Sequence, residues 1–327
     1  KHNWAFKGEP EPELEGRQLQ HDRGKTLGGS SSINGMVFIR GNSLDYEGWR
    51  QMGCDDWGYA DVLPYFKKME SYSGGGDDFR GGSGPLKVHR SIPKDELSLA
   101  FIKAGKEAGY KETDDISGYC QEGFGIFDRT VFKGERWSTT RGYLDPVRNR
   151  ENLTIVTKAL VCKLIIEKNK AIGVCFKNNK DKIHNVKSKK EVILCAGAVG
   201  TPQILMLSGI GPKDHLRSMG INLKVDLPGV GQNLQDHPDF MIKYKCLKPV
   251  TLWPKTKRLN SIGAGIQWLL TKEGMCASNH FDAVACIRSG PGIEYPDLQL
   301  CISPIAMDDN TWQPLKEHAF QVHVGLM

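Results

Sequence analysis

The segment GKTLGGSSSINGMVFIRG, residues 24–41, constrains the fold most, because small residues crowd its first half before an apolar run. Its GKT triplet would end a phosphate-binding P-loop only if a glycine stood five residues before Gly24. Position 19 is Leu19, so a P-loop is excluded. What remains is a turn over residues 28–31, where bare backbone can contact a flat or anionic ligand. An ordinary surface turn is the alternative.

The length and composition indicate a globular protein. A chain of 327 residues can form two domains, or one domain with a large insertion. It is 39% hydrophobic and 25% charged, and its net charge is +6. The most basic stretch, KNNKDKIHNVKSKK at residues 177–190, lacks aromatic residues. It therefore predicts a solvated hairpin, and we expect no nucleic-acid partner.

The nine cysteines form no CxxC pair, and their number is odd. We therefore expect reduced thiols and a reducing compartment. The nine histidines show no paired ligand spacing, so we predict no metal site. No apolar run approaches the about 18 residues of a membrane span, and no signal peptide is visible. The chain starts at Lys1 and stops at Met327 within an apolar segment, so we expect both ends to be truncated.

Helical periodicity and turn residues organise the first third of the chain. Apolar spacing predicts helices over residues 45–53 and 59–72, followed by a flexible surface loop over the glycine-rich residues 73–85. Residues 95–109 predict an amphipathic helix that ends at Gly109.

Residues 152–177 alternate or run apolar over lengths that are typical of strands. The segments NLTIVT, LVCKLIIE and AIGVCFK predict an antiparallel meander, with a tight connection at KNK. Next, KEVILCAG at residues 190–197 predicts a buried parallel strand. A capped helix should follow, with Thr201 as N-cap, Pro202 at the first helical position and Gly209 at its end. A strand, a glycine turn and a helix are parts of a dinucleotide-binding fold, so a cofactor enzyme is favoured over a binding module.

The two glycine-bearing stretches, RGKTLGGSSSINGMVFIRG and GAVGTPQILMLSGIGP, resemble the paired signatures of the glucose-methanol-choline (GMC) family of FAD-dependent oxidoreductases. Further segments, among them TDDISGYCQEGFG, RWSTTRGYLDP, LPGVGQNLQDHP, ASNHFDA and KEHAFQVHVG, are more similar to the family's choline dehydrogenase branch than to its sugar or aryl-alcohol branches. These segments extend over nearly the whole chain.

The resemblance implies which residues contact FAD. The segment next to the pyrophosphate and ribityl chain would be Leu27, Gly28, Gly29 and Ser30. The segment lining the isoalloxazine ring would be Asn34, Gly35, Met36 and Val37, and the main chain of Val161 would meet the adenine. Asn34 stands where some relatives carry a flavin-linking histidine, so we expect non-covalent FAD.

The resemblance also implies which parts are missing. Relatives begin with a strand and a GxGxxG loop and carry the active-site histidine near their C-terminal end, and this chain contains neither segment. The chain is thus expected to be a central fragment, inactive alone, with no catalytic residue of its own. His237 resembles a family position but is expected to be structural.

The fold implied is α/β: a Rossmann-like FAD-binding domain interrupted by an α+β substrate domain with an antiparallel sheet, incomplete at both ends. The FAD domain would take residues 1–94 and 136–245, and the substrate domain 95–135 and 246–327.

For the intact protein the resemblance implies oxidation of choline, or a related small alcohol, to betaine aldehyde by hydride transfer to flavin N5, as in glycine betaine biosynthesis. Electrons would pass to a respiratory acceptor, in a mitochondrial protein peripheral to the inner membrane. The alternatives are another alcohol or sugar dehydrogenase of the family, or a non-catalytic remnant that acts as a binding protein.

Choline carries a trimethylammonium group, which a carboxylate and aromatic faces can hold. Asp282 falls where choline-oxidising relatives carry a glutamate, with Phe281 adjacent, so both are candidate substrate residues. The alternative is that Asp282 is a surface carboxylate with a local partner. Cys301 stands where relatives have an active-site histidine, a departure that would alter substrate preference.

Overall fold

The computed structural model of the chain describes residues 1–309 and 311–327. Its strands are β1 (Phe6–Lys7), β2 (Gln20–His21), β3 (Val37–Phe38), β4 (Glu70–Tyr72), β5 (Leu86–Arg90), β6 (Gly123–Ile126), β7 (Asp128–Arg129), β8 (Val131–Phe132), β9 (Glu135–Arg136), β10 (Ala159–Glu167), β11 (Lys170–Asn178), β12 (Ile183–Lys187), β13 (Ile210–Gly211), β14 (Val225–Asp226), β15 (Asp239–Lys245), β16 (Ala283–Ile287), β17 (Leu298–Ser303) and β18 (Ala319–Leu326). Its α-helices are α1 (Ser43–Gln51), α2 (Tyr59–Met69), α3 (Glu96–Glu107), α4 (Gly197–Leu207), α5 (Lys213–Ser218), α6 (Trp253–Thr256) and α7 (Arg258–Thr271). Short 3₁₀ or π turns occupy Pro12–Leu14, Gly29–Ser32, Asp55–Trp57, Thr140–Leu144, Asp145–Val147 and Met275–Ala277.

The chain forms two compact units. One comprises Lys1–Asn149 and His237–Met327, and the other Arg150–Asp236. The functional division of the chain into FAD and substrate domains stays a prediction.

The largest sheet of the first unit has five antiparallel strands in the order β15-β18-β17-β16-β6. Because side chains alternate along a strand, Ala285 and Ile287 point to one face and Val284 and Cys286 to the other. The first face packs with Phe101 of α3, and the second with Ile116 and other apolar residues. This is the antiparallel sheet that the resemblance implied.

A four-stranded mixed sheet, in the order β3-β7-β5-β4, completes the core of this unit. The helices of this unit follow their sequence signals. Asn42 and Asp45 form a capping box that starts α1. Asp95 accepts a hydrogen bond from the Ser98 backbone at the start of α3, and Gly109 follows that helix with a φ of +89°. The three predicted helices are confirmed, but the second ends at Met69, and the last three residues of its predicted range form β4.

The predicted flexible surface loop at residues 73–85 is wrong at its centre, because Arg80 is fully buried. Its guanidinium pairs with Glu70 at 2.8 Å, Asp128 at 2.8 Å and Asp115 at 2.7 Å. Burial alone would lower the pKa of Arg80, but these three carboxylates outweigh it and raise that pKa. The glycines let the loop fold inward around one buried ion, which composition alone does not reveal.

The second unit contains the predicted antiparallel meander, as the sheet β10-β11-β12. Lys168 and Asn169 connect the first two strands, and both have positive φ, the pattern of a tight hairpin turn. The basic segment 177–190 forms the second hairpin, largely exposed, as expected. The predicted strand at residues 152–157 does not form.

The predicted buried strand at residues 190–197 is also wrong: residues 191–195 pair with no strand of the described chain, and Ile193 is 75% exposed. A parallel strand needs neighbours for its backbone hydrogen bonds, and none of the described residues supplies them. The helix that follows, α4, begins at Gly197 rather than after Thr201, and Pro202 lies inside it. Thr201 is therefore not the N-cap, although its hydroxyl accepts a hydrogen bond from the Ala196 backbone at 3.2 Å.

All nine cysteines are free thiols. Over the described residues, none of the helices combines the length and the apolar character needed to cross a bilayer.

Candidate active site

The glycine-rich segment forms a turn that is held by its own side chains. Gly28 and Gly29 both have positive φ, at +85° and +53°, and a 3₁₀ turn follows over Gly29–Ser32. The Ser31 hydroxyl donates to the Gly28 carbonyl at 2.6 Å, and the Ser32 hydroxyl donates to the Leu27 carbonyl at 2.8 Å. The serines thus fix the backbone of the turn.

Arg136 binds the middle of this segment, at Ser31 and Asn34. Its Nη1 donates to the Ser31 carbonyl at 3.3 Å, to the Asn34 carbonyl at 2.7 Å and to the Asn34 side-chain oxygen at 2.8 Å. Partial burial lowers its pKa, and no ion pair among the described residues includes it. The arginine therefore places an uncompensated positive charge beside the turn, which suits an anionic ligand.

The backbone where the resemblance places FAD is open at Gly29 and Gly35, although the side chains of Ser32 and Thr140 cover Gly28. A Cβ atom added at Gly29 or Gly35 would meet nothing within 4 Å. The N–H of Gly35 has no hydrogen-bond acceptor among the described residues. Met36 adopts a positive φ of 61°, held by a bond from its N–H to the Asn34 side chain. A flat, anionic cofactor fits this site, because Gly29 and Gly35 are open, the N–H of Gly35 is an unused donor and Arg136 carries a fixed positive charge.

The predicted FAD residues lie close together in the chain, except for Val161. The first two groups, Leu27–Ser30 and Asn34–Val37, lie in this one segment. Val161 belongs to the second unit, where it is half-buried on β10 and faces Phe176 of β11.

A cavity of about 290 Å³ lies on one face of the five-stranded sheet. Its lining includes Val37, Phe281, Cys301, His237, Asp239 and His323. Val37 is a predicted flavin residue and Phe281 a predicted substrate residue, so the cavity adjoins both candidate sites. The loop that carries Phe281 is tied to the segment by a bond from the Asn279 amide to the Gly35 carbonyl at 2.9 Å.

Asp282 is not among the residues that line this cavity. Its side chain is 13% exposed and lies 3.5 Å from Nη1 of Arg129, which also donates to the Ser278 hydroxyl at 2.6 Å. Burial raises the pKa of Asp282, and the positive charge of Arg129 opposes this rise. Asp282 is therefore a largely buried carboxylate with local partners.

Cys301 and His237 also line the cavity. Burial raises the pKa of the Cys301 thiol to about 12, with Asp239 as a second cause, so the thiol cannot replace a histidine in proton transfer. Nδ1 of His237 lies 2.5 Å from the main-chain oxygen of Leu326, a contact that fits its expected structural role.

Sequence reasoning missed a hydrogen-bonded set at the cavity, in which Asp239 and His323 line the cavity and Gln321 is buried beside them. Nδ1 of His323 lies 2.6 Å from Asp239, and its Nε2 lies 2.7 Å from the Gln321 amide. The period-two spacing of Gln321 and His323 in FQVHVG puts both on one strand face and could have suggested the pair. Nothing local links them to Asp239, because the pairing of β15 with β18 brings them together.

Comparisons with known proteins agree with this architecture. The sequence profile described as GMC oxidoreductase matches residues 12–239. The chain is 48% identical over its full length to an oxygen-dependent choline dehydrogenase of Stenotrophomonas maltophilia, and 47% identical to one of Pectobacterium carotovorum. It spans 59% of the length of these curated relatives.

Solved structures give the same result. A formate oxidase of Aspergillus oryzae superposes with a TM-score of 0.89 at 25% identity, over 100% of this chain and 63% of that one. A pyridoxine 4-oxidase of Mesorbium loti superposes with a TM-score of 0.85 at 26% identity, over 100% and 60%. The chain belongs to the GMC oxidoreductase family.

Proposed function

We propose that the intact protein is an FAD-dependent choline dehydrogenase that oxidises choline to betaine aldehyde, a step of glycine betaine biosynthesis. The observation that carries this proposal is the 48% identity, over the whole chain, to relatives named choline dehydrogenases. The open turn, the charge of Arg136 and the adjoining cavity support it physically.

The residues proposed to hold FAD are those of the glycine-rich segment, with Val161 at the adenine. Bound FAD would supply the hydride acceptor for alcohol oxidation. The chain's own contribution is to hold the flat ring against unhindered backbone at Gly35 and to set the positive charge of Arg136 nearby. The cavity beside Val37 would hold the alcohol.

The test uses the full-length gene product, purified and assayed with choline. We expect a flavin-type absorption spectrum, loss of the colour from the protein on acid precipitation, and betaine aldehyde as product. Glucose and benzyl alcohol serve as control substrates and should turn over far more slowly. A colourless protein would favour the non-catalytic remnant, and preference for a control alcohol would favour another branch of the family.

The electron acceptor is proposed to be a respiratory quinone, although the curated relatives' names specify oxygen. Comparing oxygen uptake with ubiquinone reduction during the same choline turnover decides between the two acceptors. The mitochondrial location stays a prediction that rests on the resemblance, because the matched relatives are bacterial.

Helix α7 supports the proposed peripheral attachment to a membrane. Five apolar side chains on one narrow face are each more than half exposed, namely Leu259, Ile262, Ile266, Leu269 and Leu270. Trp268, on the opposite face, anchors the helix by donating to the Gly134 carbonyl at 2.7 Å.

The charge around α7 indicates an anionic partner surface. Residues 246–271 contain no acidic residue and four basic ones, Lys248, Lys255, Lys257 and Arg258. None of the ion pairs among the described residues uses these four side chains. An exposed apolar stripe flanked by unpaired basic residues is typical of a helix that lies in a membrane interface.

We expect the full-length enzyme to cosediment with vesicles of phosphatidylcholine and phosphatidylglycerol. Leu269→Asp should weaken this binding by about tenfold or more, because a buried leucine contributes about 1.5–3 kcal/mol. The matched control is Met52→Asp, because Met52 is 77% exposed and lies outside α7. Equal vesicle binding by both variants, or unfolding of the Leu269→Asp enzyme, would contradict a membrane-facing stripe.

A further inference from the structure

Asn34 and Gly35 form the only Asn–Gly pair of the chain, and both residues are exposed. In such a pair the backbone nitrogen of the glycine can attack the side-chain carbonyl carbon, Cγ, of the asparagine, because glycine has no Cβ atom to hinder the approach. The pair lies in the segment proposed to line the flavin. A change in its charge or in its backbone would therefore act on the cofactor site.

The nitrogen of Gly35 is available for this attack. Its N–H has no hydrogen-bond acceptor among the described residues, so no bond has to break first. The next residue, Met36, donates its N–H to Oδ1 of Asn34 at 3.1 Å. This bond folds the asparagine side chain back over the main chain, as in an Asx-turn. The ring of atoms that it closes contains both reacting atoms, Cγ of Asn34 and the nitrogen of Gly35, and so keeps them near each other.

Two donors polarise the carbonyl group that would be attacked. Oδ1 of Asn34 accepts from the Met36 N–H and also, at 2.8 Å, from Nη1 of Arg136. Attack on Cγ moves an electron pair onto Oδ1, and donors that already point at this oxygen stabilise the developing negative charge. The guanidinium of Arg136 also holds the main-chain oxygen of Asn34 at 2.7 Å, which fixes the residue while its side chain reacts.

We propose that Asn34 is a deamidation site of the flavin-free enzyme and that bound FAD protects it. The Gly35 nitrogen forms a bond to Cγ of Asn34 and releases its proton to water. The bond from Cγ to Nδ2 then breaks, and Nδ2 takes up a proton and leaves as ammonia. Water opens the resulting five-membered imide and gives an aspartyl or isoaspartyl residue at position 34. No oxidant or reductant takes part.

Either product would damage the cofactor site. A carboxylate at position 34 would lie against Nη1 of Arg136 and cancel the positive charge that suits an anionic ligand. An isoaspartyl link would also lengthen the main chain within the segment. Loss of FAD would thus become irreversible with time. This inference rests on the proposed function, because it takes the FAD site from there, and adds a route by which that site is lost.

The test incubates the full-length enzyme with excess FAD, or after removal of FAD, and follows its peptides by mass spectrometry. Deamidation replaces an NH₂ group by OH and so changes the mass of the peptide that contains residue 34. We expect this change to be at least about tenfold faster without FAD. Asn260 and Ser261 are the internal reference, because they lie within α7 and the Ser261 N–H donates to the Lys257 carbonyl at 2.9 Å. That pair should stay unmodified in both samples.

Two variants test the chemistry in the flavin-free enzyme, with intrinsic fluorescence as the measure of folding. In Gly35→Ala the added Cβ meets nothing within 4 Å, so the fold should be kept, while the methyl group shields the nitrogen. Arg136→Met removes one donor to Oδ1 of Asn34. We expect each substitution to slow deamidation by about tenfold or more. An unchanged rate in folded Gly35→Ala would overturn the proposed attack, and one in folded Arg136→Met would overturn the role of the arginine.

The consequence for the cofactor is tested with Asn34→Asp, which carries the aspartyl product from the start. Its FAD affinity should be about tenfold lower or less, and full affinity would contradict the proposal. Equal deamidation rates with and without FAD, in an enzyme that binds FAD, would refute the protection. A gene product that binds no FAD would refute the proposed function instead, and the rate at residue 34 would still decide whether the attack takes place.

Discussion

Arg80→Leu in the full-length enzyme is expected to lower the free energy of unfolding by about 3–5 kcal/mol, because it removes one member of a buried ionic cluster. Leucine fills part of the space but leaves Glu70, Asp115 and Asp128 with one positive charge fewer. It also removes the guanidinium that lies 3.8 Å from the centre of the Tyr72 ring. Urea unfolding followed by intrinsic fluorescence measures the change.

The matched control is Arg148→Leu, which breaks an ion pair with Asp145 at the surface. Both side chains of that pair are almost half exposed, at 44% and 45%, so its loss should cost at most about 1 kcal/mol. Similar unfolding midpoints for the two variants would show that the charges around Arg80 are solvated, contrary to the burial described above.

Elements whose signals lie within a few residues were predictable from the sequence. The helix capped by Asp95 has its cap, its apolar face and its closing Gly109 in one stretch, and all three occur as expected. The signal for the hairpin between β10 and β11 was equally local, because its turn residues Lys168 and Asn169 separate two apolar runs.

Elements that depend on distant partners were not predictable. Residues 190–197 are apolar enough for a buried strand, but a strand forms only where another strand accepts its hydrogen bonds. Arg80 illustrates the opposite error: its glycine-rich surroundings indicated a flexible loop, while its three partners come from three other segments of the chain.

The candidate site also has one part with local sequence signals and one part that depends on distant partners. The glycine-rich segment is a contiguous motif, so the resemblance could indicate every one of its predicted cofactor residues. The cavity is assembled from β15, β17 and β18 with the loop before β16, and its lining carboxylate could be identified only from the folded structure. Sequence position favoured Asp282 as a site residue, whereas the structure pairs it with Arg129 and leaves it out of the cavity lining.

Gly24→Ala tests whether the turn at residues 28–31 holds the cofactor. A Cβ atom at Gly24 would lie 2.1 Å from the carbonyl oxygen of Gly29 and 2.7 Å from the backbone nitrogen of Ser30. Backbone atoms cannot rotate away as a side chain can, so the turn itself must shift. Overpacking of this kind costs about 1–3 kcal/mol. If this turn binds FAD, the shift of its backbone should lower FAD affinity by about 10- to 100-fold.

Gly48→Ala is the control for this substitution, because it makes the same chemical change within α1, where an added Cβ meets nothing within 4 Å. It should stabilise that helix by about 1 kcal/mol and leave flavin content unchanged. The ratio of flavin to protein absorbance, measured after gel filtration of both full-length variants, separates the two cases. Full flavin retention in Gly24→Ala would mean that the turn does not carry the cofactor, since its backbone cannot keep its position beside a new methyl group.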